Sequence, residues 1–512
     1  MKRSSNSAPG SHRFLCVLSA ILLALGTGCY FAADWYVRTY GDTGFDSILF
    51  TLTGGLNGVQ SDLVTSYMLG GFLPAVLSTI VLQIFLFFPP DIAALKCSLF
   101  GKKRTLFPIH RVVAGILSIL LFLGLMGLAG DKVGLFSYLA SYGKTGYVFE
   151  EEYKDPKDVQ ITFPEEKRNL VYIMLESMET SYLSKELGGG LPYNLIPELY
   201  DLAGENINFS HNDGVGGLVE LPGVSWTIGS MVGQTSGIPL RVPDGIQDWQ
   251  NGYGSEGVFL PGVTSLSDIL AENGYYQALM VGSDARFGGR KTYYDTHGTD
   301  KIYDIYTARQ DKIIPSNYFV WWGMEDKHLF SYAKQELLEL AQMDQPFAFT
   351  MLTVDTHHIG GYNCDLCDDK YEETYENAIA CSSRQVLEFV QWLQQQDFYE
   401  NTTVIITGDH FSMDAGYFDR NIPANYGRHG YNCFLNCPVT PTRDKNRAFS
   451  ALDMFPTTLA AMGCTIEGNR LGLGVNLFSN APTLIERKGF VAFWNELSMA
   501  SEYYKRFYET AE

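Results

Sequence analysis

The sequence predicts an α/β chain in two parts: transmembrane helices at the amino terminus, then a mostly parallel sheet covered by helices. Three observations predict it. Within residues 1–135, long apolar stretches run without charge. From residue 169 on, short runs rich in Val, Ile and aromatics alternate with stretches of helical spacing. Several of those runs lead into residues with metal and phosphate chemistry: NLVYIML ends at Glu176, SWTIGSM presents Thr227, FAFTMLTV leads to His357 and His358, and TTVIITG ends at Asp409-His410. In an open α/β sheet, ligands bind outside the carboxyl ends of the strands, so these residues converge if the runs are neighbours.

At 512 residues, 46% hydrophobic and 18% charged, the chain has room for more than one domain and a large soluble core. Its net charge of -20 disfavours nucleic acid, whose binding needs Lys and Arg against phosphates. It also disfavours a basic membrane-surface patch on the soluble part.

Phe14 to Ala33, Met68 to Phe88 and Val112 to Gly130 each match the ~20 residues that cross a hydrocarbon core. The first reads as an uncleaved helix, because a signal peptide has a shorter apolar region and further crossings follow. Residues 1–135 are thus a membrane anchor of about three helices. Lys2, Arg3 and Arg13 precede the first crossing, and Lys96, Lys102, Lys103, Arg104 and Arg111 surround the loop before the third. Arg38 stands alone among Asp34, Asp42, Asp46 and Asp62. The positive-inside rule then predicts a multi-pass cell-membrane protein with everything after Asp131 on the extracytoplasmic side. FTLTGGLNGV, residues 50–59, is too short to cross and reads equally as an interfacial segment or an extracellular loop. Residues 136–168, charged and proline-containing from Tyr147, are expected to be a solvated linker to a catalytic domain at 169–512.

In that domain strands are expected at 169–175, 275–281, 346–354 and 402–407, and helices at 264–273 and 371–396. The Pro-Gly turn before Val224 predicts a short helix with Thr227 in its first turn, where free N–H groups and the helix dipole favour an anion. A Thr there is ordinarily just a cap, and a Glu after a strand or a Gly-Asp-His turn is ordinarily structural. Their joint occurrence carries the signal: two carboxylates, an imidazole and a hydroxyl suit Mn²⁺, Mg²⁺ or Zn²⁺ and can activate the hydroxyl for attack. His357 or His358 then serves a phosphoryl oxygen or leaving group. Arg428-His429 in NYGRHGYN, and Arg290 and Tyr294 in RFGGRKTYYDTHG, supply cations and aromatics to clamp a phosphate and its appendage.

LESMETSY, SWTIGSMVGQTSGIPL, TVDTHH and ITGDHFSMD together resemble the lipoteichoic acid synthase and phosphoglycerol transferase family of the alkaline phosphatase/sulfatase superfamily, over about residues 169–480. The resemblance implies a sulfatase-like fold and a Mn²⁺-like ion held by Glu176, Thr227, Asp409 and His410, with Thr227 also the nucleophile and His357 binding substrate. It further implies transfer of glycerophosphate from phosphatidylglycerol, through a glycerophospho-threonine, to a glycan, glycolipid or growing polyglycerophosphate acceptor in the cell envelope. The chain departs from the pattern at Gly288, where lipoteichoic acid synthases have Trp in Phe-Trp-x-Arg, while Arg290 keeps the Arg. A phosphoethanolamine transferase shares these residues and is the nearest rival. No C/S-x-P-x-R sequence surrounds Thr227, which argues against sulfate-ester hydrolysis. A degenerate, membrane-tethered binding protein is the alternative outside enzymes, although such proteins commonly lose a ligand or nucleophile and here all four positions are filled.

Cys364, Cys367, Cys381, Cys433, Cys437 and Cys464 fall in the external domain. An oxidising compartment predicts at least one disulfide, involving Cys364, Cys367 or Cys381, as a staple beside the His357 loop.

Overall fold

The computed structural model describes residues 9–41, 44–54, 61–87, 96–99, 102–105, 111–241 and 257–509. They divide into two compact units, Met1–Asp42 with Val59–Ser137, and Thr43–Gly58 with Tyr138–Glu512. The first helices in chain order are α1 (Pro9–Tyr40), α2 (Phe45–Gly54), α3 (Ser61–Tyr67), α4 (Leu73–Phe87), α5 (Arg111–Lys132) and α6 (Leu135–Tyr142).

Among the described residues, the first unit holds three stretches long and apolar enough to cross a membrane: Phe14–Tyr40, Leu63–Phe87 and Val113–Lys132. The first continues past its expected end at Ala33. Asp34 does not stop it, because its carboxylate lies 2.9 Å from Lys132 Nζ and also pairs with Arg38 one turn on. A π turn at Met68–Phe72 joins α3 to α4, where Pro74 offers no N–H. Polar side chains link the helices, as expected where lipid offers them no partner: Thr27 Oγ1 meets Thr79 Oγ1 at 2.7 Å, and Gln83 Nε2 donates to Cys16 O at 3.0 Å.

The second unit is built on one sheet. Its strands, in chain order, are β1 (Asn169–Leu175), β2 (Tyr276–Val281), β3 (Lys301–Tyr303), β4 (Phe347–Leu352), β5 (Thr402–Gly408) and β6 (Asn432–Leu435). They lie in the order β3-β2-β4-β1-β5-β6, all parallel except β6, which runs antiparallel to β5. Strand β1 is central, with Ile173 opposite Met351 on one side and Ile406 on the other. NLVYIML is apolar at nearly every position because both faces are covered. Leu170, Tyr172 and Met174 enter one core with α7 (Thr227–Ser236) and α10 (Ala451–Ala461). Val171, Ile173 and Leu175 enter the other with α8 (Asp326–Leu340) and α9 (Thr374–Leu393). The four expected strands and both expected helices are present within a few residues of their predicted ends. The two edge strands, β3 and β6, were not anticipated: at three and four residues they are too short to show periodicity.

One expectation is corrected. Residues 136–168 are not a solvated linker: from Tyr138 on they belong to the second unit, with Val148 and Phe149 buried, Ile161–Thr162 paired with Thr465–Ile466, and Glu152 bound by Arg470 and Arg487. Of the charges that suggested solvent, Glu152 is consumed by those ion pairs, while Glu150, Glu151 and Lys154 are exposed. The segment at 50–59 begins inside helix α2, which also belongs to the second unit, while its remainder lies outside the described residues. The disulfide is Cys367–Cys381, with Cα atoms 5.0 Å apart and Cys364 Sγ 3.7 Å from Cys367 Sγ.

The carboxyl-terminal part is locked by Arg447, which is fully buried and donates to Glu486 Oε1 at 3.0 Å and to the carbonyls of Leu477, Ser479 and Ala481. Arg447→Ala, which strands those acceptors, is expected to cost about 3–5 kcal/mol. Arg443→Ala removes a half-exposed arginine from the same Glu486 and is expected to cost under about 1 kcal/mol. Thermal melting of the two variants side by side checks the contrast.

Candidate active site

The central strands end side by side, and the chain beyond each end supplies one part of a cluster. Glu176 follows β1, and Asp409-His410 follow β5. Their ligand-type atoms lie within 4.8 Å of one another and all three residues are buried. His410 Nε2 is 3.5 Å from Glu176 Oε1, 3.3 Å from Asp409 Oδ2 and 3.4 Å from Thr227 Oγ1. The cluster is held from behind. Asp409 Oδ1 accepts the backbone N–H groups of Ser177 and His410, at 2.8 and 2.7 Å, which leaves Oδ2 buried beside His410 Nε2 and without a hydrogen-bond partner among the described residues. His410 Nδ1 donates to Phe411 O at 2.7 Å, so the lone pair is on Nε2 and points into the cluster. Ser177 sits at φ 55°, an uncommon conformation for a residue with a Cβ, and this turn brings its N–H to Asp409 and its Oγ to Glu176 Oε1.

Electrostatics points the same way. Burial, and then the Asp409 charge, pushes Glu176 up to about 8. Burial opposes charging of His410, but the Asp409 and Glu176 carboxylates outweigh it and raise the imidazole. A buried carboxylate pair with an orphaned oxygen and an imidazole lone pair beside it is a donor set for a divalent cation, which would meet all three needs at once.

Thr227 is the first residue of α7, after Trp226 in extended conformation. Its hydroxyl and the free amides of the first turn share one end of the helix. Ser230 and Gln234, three and seven residues on, share the face of Thr227. Ser230 Oγ donates to Asp409 O, and Gln234 Nε2 donates to Gly408 O at 3.1 Å, tying the helix to the end of β5.

His357 and His358 follow β4, which is β1's other neighbour. His357 Nδ1 donates to His358 O at 2.6 Å, and burial lowers the ring to about 3, so it is neutral with its lone pair on Nε2. Trp322 packs against it, ring centroids 4.6 Å apart. His358 is buried and stacked on His357, and burial holds it well below the usual histidine range. Arg290 is also brought in: burial lowers it to about 10, and the nearby Glu176 charge partly offsets this. Its Nη2 donates to Ser283 Oγ and Asp284 O, and Nε to Phe287 O.

Three anticipated residues are placed otherwise. Tyr294 is in the core beneath α7, its buried hydroxyl without a hydrogen-bond partner among the described residues. Arg428 is a strut: its Nε donates to Glu179 Oε2 at 2.9 Å, its Nη2 to Ser412 O at 2.8 Å, and its plane lies 3.8 Å from the Phe418 ring centroid. His429 stacks on His211 at 3.4 Å and donates to Gly427 O. Conversely, Ser177, Ser230, Gln234, Thr353, Thr356 and Trp322 were not picked out. Ser230 and Gln234 were legible as a polar stripe in TIGSMVGQ, whereas Trp322, far from any motif, gave no signal.

Arg428→Ala leaves Glu179 buried beside no cation, and is expected to lower stability by about 3–5 kcal/mol in denaturant melts. Unchanged melting with weakened donor binding would return Arg428 to the substrate.

Residues 247–464 match the sulfatase family. Phosphoglycerol transferase I of Citrobacter koseri is 31% identical over 407 residues, covering 77% of this chain and 49% of that protein. The protein of the same name from Xanthomonas campestris pv. campestris is 32% identical over 323 residues, 62% of this chain and 43% of that one. The chain thus spans about half the length of these curated relatives. Among solved structures, lipoteichoic acid synthase LtaP from Listeria monocytogenes aligns with 63% of this chain and 79% of its own, at 18% identity and a TM-score of 0.46. Lipooligosaccharide phosphoethanolamine transferase A from Neisseria meningitidis aligns with 88% of this chain and 84% of its own, at 14% identity and a TM-score of 0.49. With a buried cluster at the strand ends, apolar amino-terminal helices, the sulfatase match and the curated phosphoglycerol transferase relatives, the chain belongs to the membrane-anchored, sulfatase-like family that includes the phosphoglycerol transferases.

Proposed function

We propose that this protein transfers glycerophosphate from phosphatidylglycerol to a hydroxyl of a glycan, glycolipid or growing polyglycerophosphate, through a covalent intermediate on Thr227. The observation that carries the reading is the hydroxyl of Thr227 at a helix amino terminus, 3.4 Å from His410 Nε2 at the edge of the buried Glu176–Asp409–His410 cluster. Glu176, Asp409, His410 and Thr227 would hold a divalent cation, Mn²⁺ by family resemblance, with Mg²⁺ and Zn²⁺ fitting the same donors. Such an ion, when bound, supplies Lewis acidity that lowers the cost of charge on a hydroxyl and on phosphoryl oxygens.

The residues of the chain do the rest. Thr227 Oγ1 attacks phosphorus, forming a P–O bond as the bond to diacylglycerol oxygen breaks; the threonine's proton is lost and diacylglycerol gains one. The amides of the α7 first turn face the phosphoryl group. An acceptor hydroxyl then attacks the same phosphorus, and Thr227 is released with a proton. His357, neutral and with its Nδ1–H committed to His358 O, suits accepting a hydrogen bond from a glycerol or acceptor hydroxyl; it is not built to donate a proton. Arg290 adds positive charge beside the cluster. The chain is read as multi-pass with the catalytic unit outside the cytoplasm, where an outer-leaflet donor lies.

Incubation of the full chain in detergent with Mn²⁺ and phosphatidylglycerol is expected to add one glycerophosphate mass, mapped by peptide analysis to Thr227. Thr227→Ala should carry none and lose at least ~10³-fold in turnover. An adduct with phosphatidylethanolamine alone would make the protein a phosphoethanolamine transferase. Metal analysis should find about one divalent ion per chain, with Asp409→Asn and His410→Gln retaining less than about a tenth. Chelation should lower the melting temperature of the wild type but not of Asp409→Asn, because only the intact cluster is left with uncompensated buried charge.

A further inference from the structure

The second unit carries an apolar surface that its own core does not cover. Helix α11 (Phe490–Leu497) is amphipathic at one-turn spacing: Phe493 and Leu497 are buried, while Phe490, Val491 and Trp494 are 41, 70 and 38% exposed. Tyr147, 60% exposed, lies beside it. Gly146 N donates to Ala500 O at 2.8 Å, Thr145 pairs with Ala500, and a Cβ on Gly146 would come within 2.8 Å of Met499 Cβ. Leu139 of α6 is 54% exposed.

Arg241 gathers these segments. Its Nη2 donates to Leu497 O at the end of α11, and its charge acts on Asp46 of α2 and on Tyr138 of α6. Phe45 of α2 meets Tyr138 with ring centroids 5.2 Å apart. Farther along α2, Phe50 is buried with its ring 5.7 Å from that of Trp226, the residue before Thr227.

Chain continuity says what faces this surface. Helix α1 ends its apolar span at Tyr40 and α2 starts at Phe45; α5 ends at Lys132 and α6 starts at Leu135. Five residues reach at most roughly 18 Å, and five more along a helix add about 7.5 Å. Phe50 is therefore within about 25 Å of Tyr40 along the chain, and Trp226 packs on Phe50. Trp, Tyr, Phe and Val exposed together on and beside one helix match the composition of a membrane–water interface.

We infer that Leu139, Tyr147 and the outer face of α11 dock on the surface of the bilayer the protein spans, and that α2 transmits this docking to Trp226, holding Thr227 at the level of the lipid headgroups. The catalytic unit thereby addresses lipids of its own membrane.

The test uses the full chain in vesicles of phosphatidylcholine bearing a photoactivatable group near the head of the acyl chain. Cross-links are expected at Tyr147 and within Phe490–Trp494 as well as in the spans. The double substitution Val491→Asp and Trp494→Asp, both at exposed positions, should abolish the α11 cross-links. It should lower turnover of bilayer phosphatidylglycerol by about tenfold, while turnover of soluble dihexanoyl-phosphatidylglycerol changes less than about twofold. Cross-links confined to the spans, or an equal fall on both lipids, would overturn the inference. Only the turnover arm rests on the proposed donor: if neither lipid turns over but α11 cross-links, the donor reading fails and the docking face stands.

Discussion

Two carboxylates and an imidazole forced together out of water are the constraint around which this unit is organised. At an effective dielectric near 20, like charges 4 Å apart repel by about 4 kcal/mol, and burial adds to that cost. The protein accepts it at the ends of its best-buried strands, and surrounds Glu176 and Asp409 with fixed donors. Ser177, turned into the left-handed region, gives its N–H to one and its hydroxyl to the other. Thr353 Oγ1 accepts Glu176 N–H, and Thr356 donates to Glu176 O. These contacts fix the lone pairs that remain, Asp409 Oδ2 and His410 Nε2 among them. Among the described residues no Lys or Arg pairs with this cluster, and a divalent cation would resolve it.

Thr227, the proposed nucleophile, depends on that constraint through α7. Its first turn carries Thr227, its second Ser230 and Gln234, and the latter two are bonded to the backbone of Gly408 and Asp409. Thr227 therefore cannot shift against the ligands without breaking buried hydrogen bonds. On its other flank Trp226 receives Phe50 from α2, so the helix that presents the hydroxyl is gripped both by the sheet and by a segment that lies in sequence between two long apolar helices.

Much of this was legible in the sequence. NLVYIML and TTVIITG read as buried parallel strands because neither face is polar, and strand ends in an α/β sheet are where ligands gather; Glu176, Asp409, His410 and Thr227 were found that way and the structure brings them together. His357, His358 and Arg290 also lie around the cluster. What failed was charge read without its partner. Asp34 looked like the end of a span but is paired with Lys132, Glu152 in the charged run after Tyr147 looked solvated but binds Arg470 and Arg487, and Arg428 looked like a phosphate clamp but braces Glu179. Tyr294 looked available and is core. Such partners lie far away in the chain, beyond the reach of any local pattern. Trp322 and the α2–Trp226 contact were invisible for the same reason.

The central claim is that glycerophosphate reaches its acceptor by two displacements, the first by Thr227. The stereochemical course at phosphorus tests it most directly, using phosphatidylglycerol made chiral at phosphorus by sulfur substitution and reading the configuration of the transferred group. Two in-line displacements through Thr227 predict net retention. Net inversion would mean that the acceptor attacks the lipid directly, and would contradict the account.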